Sequence, residues 1–422
     1  MDLQPDRRAA NLRRALAAAV DLINTHKGPC GSGLAREGTV NIDVDRPTAF
    51  ASKPAPTGYV SFIRYLEKKM TTCIGYGVHE ANAPLQPLRF ERRALRDDDV
   101  AIDIDYCGVC HSDMHYVHND WKSTRFPCVP GHEIVGRVTA VGPTVRRYRT
   151  GDLVAVGCLV DSCQQCAACE QHQEPHCTQG MTPTYNGLDR ISGEVTCGGY
   201  AQHIVVRERF VLRVPPSLDP RFTGPLLCAG ITVWTPMREH GVKAGTRLAV
   251  VGLGGLGHMA VKLGVALGAQ VTVITTSPDK ADDARALGAH HVLLSSDPQA
   301  MKDAASSFDL VLDTIPRTHN VNPYLMLLAR NGTLVLVGAL EPLEPIHGAL
   351  LAVNNRSIAG SLIGGLEQTQ ELLDFCAGHQ VLPSCEMIDI QDINQAFTRM
   401  QNNDVKYRFV IDMASLKEVD VA

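Results

Sequence analysis

The chain has no excess of positive charge: 40 Lys and Arg stand against 45 Asp and Glu, a formal net charge of −5. Without a basic field to track phosphates, nucleic acid is excluded as the main partner. No apolar run approaches the roughly 20 residues that a membrane helix needs, so no membrane span is expected. Nor does a secretory signal stand before the cysteines. With 14 cysteines in so long a chain, this argues against a secreted disulfide scaffold and for thiols kept reduced in the cytoplasm. What the chain does have is 422 residues, 45% of them hydrophobic, with 36 glycines. That is enough for a large core divided between two domains.

Residues 1–69 read as an extension. An arginine-bearing apolar stretch over 7–23 has the pattern of an amphipathic helix, and Gly- and Pro-containing segments follow at 28–33 and 47–58. Asp2, Asp6 and Asp21 argue against an organelle-targeting peptide. A flexible extension, or a start codon placed too early, is the expected reading. Residues 70–226 are expected to form one domain, with strands at 71–77 and 100–106; from 107 to 214 the chain is rich in Gly, Pro and short β-branched runs, which predicts an irregular β-rich fold. Over 227–364 the pattern changes. Continuous apolar runs at 248–251, 271–274, 310–312 and 334–337 suit strands buried on both faces, and helical stretches such as 258–267 and 280–287 separate them. Such alternation predicts an α/β fold with a doubly wound parallel sheet. From 365 onward, a helix over 368–377 and a strand at 409–411 are expected to return to the first domain. The isolated Cys30, Cys376 and Cys385 are expected to be buried structural thiols.

The segment 247–257 is a strand running into a glycine turn and then a helix. Gly252 permits the tight turn, Gly254 admits a pyrophosphate to the backbone, and Gly257 lets helix and strand pack closely. The helix start then offers free N–H groups and a positive dipole end. The next strand ends in Thr275, Thr276 and Ser277, with Lys280 just beyond and Asp279 one turn into the expected helix. An NAD site usually places a carboxylate at that strand end. Hydroxyls and an ammonium in its place favour NADP(H).

Cys163-x2-Cys166-x2-Cys169-x7-Cys177 places four thiols within fifteen residues, the set for a closed, structural zinc site. A catalytic zinc needs three ligands and an open position. Three segments offer candidates for it, Cys107 to Asp113, Gly131-His132-Glu133 and Leu227 to Gly230, and spacing does not choose among them.

At these residues the chain resembles the zinc-containing medium-chain dehydrogenases, in their cinnamyl alcohol dehydrogenase-like branch. The matching stretches are CGVCHSD (107–113), PGHEIVG (130–136), DSCQQCAACEQHQEPHC (161–177), LLCAGITVW (226–234), VGLGGLGHMAVK (251–262) and DVKYRFVID (404–412). The resemblance implies a GroES-like catalytic domain plus a Rossmann domain, two zinc ions and NADP(H). It implies that Cys110, His132 and Cys228 bind the catalytic zinc with Glu133 adjacent, and that Cys163, Cys166, Cys169 and Cys177 bind the structural one. Asp113 falls where the family orients the histidine ligand. Gly252, Gly254, Gly255, Leu256 and Gly257 match the phosphate-binding turn, and Thr275, Thr276, Ser277 and Lys280 the 2′-phosphate pocket. Thr232, Thr314, Gly338, Ser361 and Ile363 match positions lining the cofactor, and His111 one near its pyrophosphate. Ser112 and His115 are the implied proton relay, with Glu133 the adjacent carboxylate. Pairing of two subunits through their nucleotide-domain sheets is implied as well.

The expected activity is reversible reduction of an aldehyde to a primary alcohol. Pro183 stands where plant relatives carry a bulky aromatic, and Trp121 offers an aromatic wall from another segment, so lignin-precursor specificity is not expected. An NAD-linked alcohol or polyol dehydrogenase is disfavoured by the strand end after Ile274. A nucleotide-sensing zinc module for nucleic acid is disfavoured because residues 164–176 contain no Lys or Arg.

Overall fold

The computed structural model describes residues 70–338 and 341–418. The 1–69 extension, with its expected helix over 7–23 and Cys30, lies outside the described residues.

A seven-stranded sheet carries the first half of the site. Its spatial order is Cys385–Asp389, Arg408–Asp412, Asp99–Val109, Ile134–Val141, Leu153–Val156 and Leu212–Arg213, with His203–Arg207 also paired to Asp99–Val109. In Asp99–Val109, Val100, Ile102 and Ile104 are buried while Asp103 faces solvent, the period of two that a half-covered strand requires. The strand runs three residues past its expected end, and Cys107, Gly108 and Val109 are all buried. There the Gly108 N–H donates to the Glu133 carbonyl at 2.9 Å. The expected strand at 71–77 is present as Thr71–Gly77, paired antiparallel with Gln86–Arg92.

The second large sheet is six-stranded and parallel throughout, in the order His291–Leu294, Gln270–Thr275, Arg247–Val251, Phe308–Asp313, Leu328–Leu336, Ser357–Gly360. Alternate residues feed different cores. Leu248, Val250, Val271, Val273, Leu310 and Leu312 belong to one, whereas Ala249, Val251, Ile274, Val311 and Leu334 belong to the other. Helices cover both faces, which is why the strands read as unbroken apolar runs. The winding reverses between Arg247–Val251 and Phe308–Asp313, and a ligand crevice opens at such a switch point.

The two strands that the apolar runs did not reveal, His291–Leu294 and Ser357–Gly360, are the sheet's edges, and most of their residues are partly or fully exposed. The expected helix over 258–267 begins three residues earlier, as Gly255–Ala266. Asp279 is not inside the following helix but stands at its N-cap, with Lys280 opening Lys280–Ala286. The helix expected over 368–377 is present as Leu366–His379 and packs on Ala229–Glu239, where the Phe375 and Trp234 rings lie 4.7 Å apart. Arg408–Asp412 then pairs antiparallel with Asp99–Val109. Cys376 is fully buried, as expected; Cys385 is only half-buried, because it opens an edge strand.

Candidate active site

The helix His111–His118 starts at the end of the long strand, and its first turn builds the site. Cys110 is the N-cap, and Asp113 at the third helical position returns the bond, its Oδ2 accepting the Cys110 N–H at 2.9 Å. This capping box fixes the Cys110 thiol relative to Asp113. Asp113 is fully buried and accepts three more bonds: from Gly131 N–H at 3.2 Å, from His132 Nδ1 at 3.1 Å, and from the Tyr200 hydroxyl at 3.0 Å. With Nδ1 committed to a carboxylate, His132 presents Nε2 as a lone-pair donor.

Four ligand atoms meet there. Cys110, His132, Glu133 and Cys228 each offer one, all within 4.8 Å of one another and all from buried residues. Cys110 Sγ lies 3.7 Å from Cys228 Sγ, and His132 Nε2 lies 3.2 Å from Cys228 Sγ. Two thiols, an imidazole and a carboxylate are a zinc donor set. Both Glu133 oxygens are buried without a hydrogen-bond partner, although Arg408 Nη2 stands 3.2 Å from Oε1. Burial pushes the Glu133 carboxyl up to about 7, with the Arg408 guanidinium opposing. A carboxylate in this state costs free energy unless a cation completes its surroundings. The residues fit the metal.

Ser112 Oγ lies 3.7 Å from Cys110 Sγ. His115, one turn on, pairs through Nδ1 with Asp120 Oδ2 at 2.8 Å and packs its ring 5.1 Å from Trp121. Aromatic rings then continue inward. Trp121 meets Tyr116 edge-on at 4.9 Å, Tyr116 meets Tyr185 at 5.0 Å, and Tyr185 stacks on His132 at 5.7 Å. His111 is half-buried at the start of the helix.

The second set of four, Cys163, Cys166, Cys169 and Cys177, also closes within 4.8 Å. Backbone groups of Cys169 and Thr178 facing Cys166 pull its thiol down to about 5, toward the thiolate a metal takes. The Cys163 N–H donates to Cys177 Sγ at 3.4 Å, and Arg209 Nη2 donates to the Cys169 carbonyl at 2.8 Å.

The glycine turn lies at the switch point. Gly252 has φ +91, and a Cβ on Gly257 would stand 2.2 Å from the Gly252 carbonyl oxygen, so both positions require glycine. A Cβ on Gly254 would enter open space above the helix start. There the N–H groups of Gly255, Leu256 and Gly257 lie in the first helical turn, where amides have no partner within the helix. Thr314 lies beneath the turn, its hydroxyl donating to the Val251 carbonyl at 2.8 Å, and Gly338 closes against Thr314. At the end of the second strand Thr275 is buried, Thr276 exposed and Ser277 half-buried, and Lys280 Nζ reaches the Leu253 carbonyl at 3.3 Å. Thr232 is buried in the helix following Cys228, while Ser361 is half-buried and Ile363 buried after the sixth strand.

Sequence reasoning did not assign Arg408. It is buried, ion-paired to Glu133, and a Cβ on Gly255 would come within 3.1 Å of its Nε, which has no partner. An arginine opening the apolar strand Arg-Phe-Val-Ile was the available signal. Nothing near Tyr200 in the chain marks it as a partner of Asp113.

Known proteins resemble this chain over most of its length. The family model for the alcohol dehydrogenase GroES-like domain matches residues 96–216, and that for the zinc-binding dehydrogenases matches 255–378. The aldehyde reductase YahK of Escherichia coli is 48% identical over 344 residues, covering 81% of this chain and 98% of that protein. An NADP-dependent alcohol dehydrogenase C of Mycolicibacterium smegmatis is 48% identical over 350 residues, 82% of this chain and 100% of its own. The structure of a cinnamyl alcohol dehydrogenase from Sorghum bicolor superposes with TM-score 0.81 at 41% identity, covering 83% of this chain and 100% of that one. That of the Helicobacter pylori enzyme complexed with NADP(H) gives 0.77 at 38%, covering 82% and 99%. With the fold, the two ligand clusters and relatives of this identity and coverage in agreement, the chain belongs to the zinc-binding, medium-chain alcohol dehydrogenase family.

Proposed function

We propose that the protein is a zinc-dependent, NADP(H)-linked alcohol dehydrogenase that works as an aldehyde reductase. The observation that carries this reading is Arg408, which stands between both halves of the chemistry: it pairs with Glu133 in the buried ligand cluster, and a Cβ on Gly255 in the glycine turn would meet its side chain. A metal held by Cys110, His132 and Cys228 and a dinucleotide on the turn would thus be neighbours. When bound, zinc supplies Lewis-acid polarisation of a carbonyl and NADPH supplies the hydride.

The chain's own residues do the rest. Asp113 holds the His132 tautomer and Glu133 lies beside the ligand set. Ser112 Oγ, next to Cys110, holds the proton that the product alcohol requires. His115, with about a third of its side chain exposed and paired to Asp120, passes protons to solvent. Such acid–base help is worth about 10²–10⁴ in rate. His111 and the unpartnered Arg408 Nε serve the pyrophosphate; Thr275, Thr276, Ser277 and Lys280 serve the 2′-phosphate; Thr232, Thr314, Gly338, Ser361 and Ile363 line the cofactor. The Cys163, Cys166, Cys169 and Cys177 site is structural. Tyr116, Trp121 and Tyr185 form an apolar wall beside His132, which suits aromatic and aliphatic aldehydes alike.

A homodimer is proposed through the edge strand Ser357–Gly360, near which Met326, Val353 and Leu362 are exposed. Six thiols committed to two ligand clusters suit a reducing compartment, the cytoplasm. The test is turnover of an aldehyde panel, benzaldehyde and cinnamaldehyde included, with NADPH and with NADH. NADPH-selective reduction is expected; an enzyme that prefers NADH contradicts the cofactor assignment, and no turnover across the panel contradicts the aldehyde reductase reading.

A further inference from the structure

The four-cysteine loop reaches beyond its own metal ligands. Glu174 sits in that loop between Cys169 and Cys177, in the short helical turn Glu174–His176, and is fully buried. Its Oε2 accepts the N–H of Leu366, the first residue of helix Leu366–His379, at 3.1 Å. Its Oε1 lies 3.4 Å from Arg209 Nη2, the same nitrogen that donates to the Cys169 carbonyl. The helix's own N-cap is Gly365, which has no side chain with which to cap. Loop and helix start are in close contact: a Cβ on Gly365 would stand 1.7 Å from the His172 carbonyl oxygen and 2.8 Å from Glu174 Oε2. Two residues upstream of Gly365 the backbone passes Ile363, then Ser361, whose N–H bonds the Leu336 carbonyl at the end of the fifth strand.

We infer that Glu174 is a positioning residue that caps helix Leu366–His379 from outside and so ties the order of the four-cysteine loop to the cofactor-lining turn 361–363. The metal of that loop then has a task beyond local stability. Its loop sets the chain direction at Gly365, and through it the cofactor-lining turn 361–363. A carboxylate is suited to this end of a helix, where it meets both an unpaired N–H and the positive end of the dipole. The consequence for cofactor binding rests on the reading of the nucleotide site given above, whereas the coupling itself does not.

The test compares the full-length wild type with Glu174→Ala and Glu174→Gln. Backbone amide exchange over 364–368 is measured without nucleotide, zinc per chain by mass spectrometry, and NADPH binding by fluorescence titration. Glu174→Ala is expected to keep two zincs, to exchange about tenfold faster at this helix start, as loss of a cap allows, and to bind NADPH about threefold to tenfold more weakly. KM for NADPH should rise with kcat near that of the wild type. Glu174→Gln retains a carbonyl acceptor and should recover most of both effects. Unchanged exchange in Glu174→Ala overturns the coupling. Equal zinc loss in both variants also overturns it, since Glu174 would then serve only the metal loop. A wild type that does not bind NADPH removes the nucleotide reading, while the exchange comparison still decides the coupling.

Discussion

Asp113→Asn isolates the contribution of one carboxylate to the buried ligand set. Four donors converge on Asp113: the N–H groups of Cys110 and Gly131, the His132 ring and the Tyr200 hydroxyl. Asparagine keeps the shape and one acceptor oxygen, and turns an NH₂ toward the donors on the other side. If the oxygen stays with Gly131 and His132, the NH₂ meets Cys110 N–H and Tyr200. The tyrosine hydroxyl can rotate to accept, but the backbone amide cannot, so one buried N–H is orphaned at about 1–3 kcal/mol. The imidazole meanwhile exchanges a charged acceptor for a neutral one, a change that lowers metal affinity about 10–100-fold. The expected variant therefore folds with a lower unfolding midpoint and loses one of its two zincs at a chelator concentration the wild type withstands. Competition with a chromogenic zinc chelator, with urea unfolding in parallel, reads both effects. Zinc affinity within twofold of the wild type would refute the claim that Asp113 orients His132 for the metal.

Further perturbations address the other parts of the site. Gly257→Ala forces a Cβ to within 2.2 Å of a carbonyl oxygen and should weaken NADPH about tenfold or more by titration, since overpacking of this kind costs about 1–3 kcal/mol. Lys280→Ala removes a half-exposed ammonium beside the turn. It should raise KM for NADPH about fivefold and leave that for NADH unchanged, as expected of a partly solvated charge. Arg408→Gln leaves Glu133 buried without its cation and should destabilise the fold by about 3–5 kcal/mol in urea titration; a neutral result would show the ion pair to be dispensable. Cys169→Ser should release one zinc and lower thermal stability, with the second zinc retained.

The sequence reveals elements wherever burial is uniform. The strands of the parallel sheet are covered on both faces, so Leu248 to Val251 and Val271 to Ile274 declare themselves as runs. Its edge strands do not, because Ser357–Gly360 and His291–Leu294 have too little buried surface to impose a pattern. The glycine turn is legible because φ +91 at Gly252 and the close approach at Gly257 admit almost no other residue. The four-cysteine cluster is legible because its ligands are local. The other ligand set is not, since Cys110, His132 and Cys228 come from three segments that only the sheet and the helix after Cys228 bring together. Residues acting through long-range contacts, such as Arg408 on Glu133, Tyr200 on Asp113 and Glu174 on Leu366, leave little local signature.

Cys110→Ala, assayed in one preparation for zinc per chain and for NADPH-dependent aldehyde reduction, tests whether the buried ligand set is the reacting centre. The variant should be a folded protein that has dropped from two zincs to one, keeps the four-cysteine site, still binds NADPH, and has lost reduction. A variant that reduces aldehydes at the wild-type rate, or one that keeps both zincs, would contradict the assignment of Cys110, His132 and Cys228 as the reacting centre.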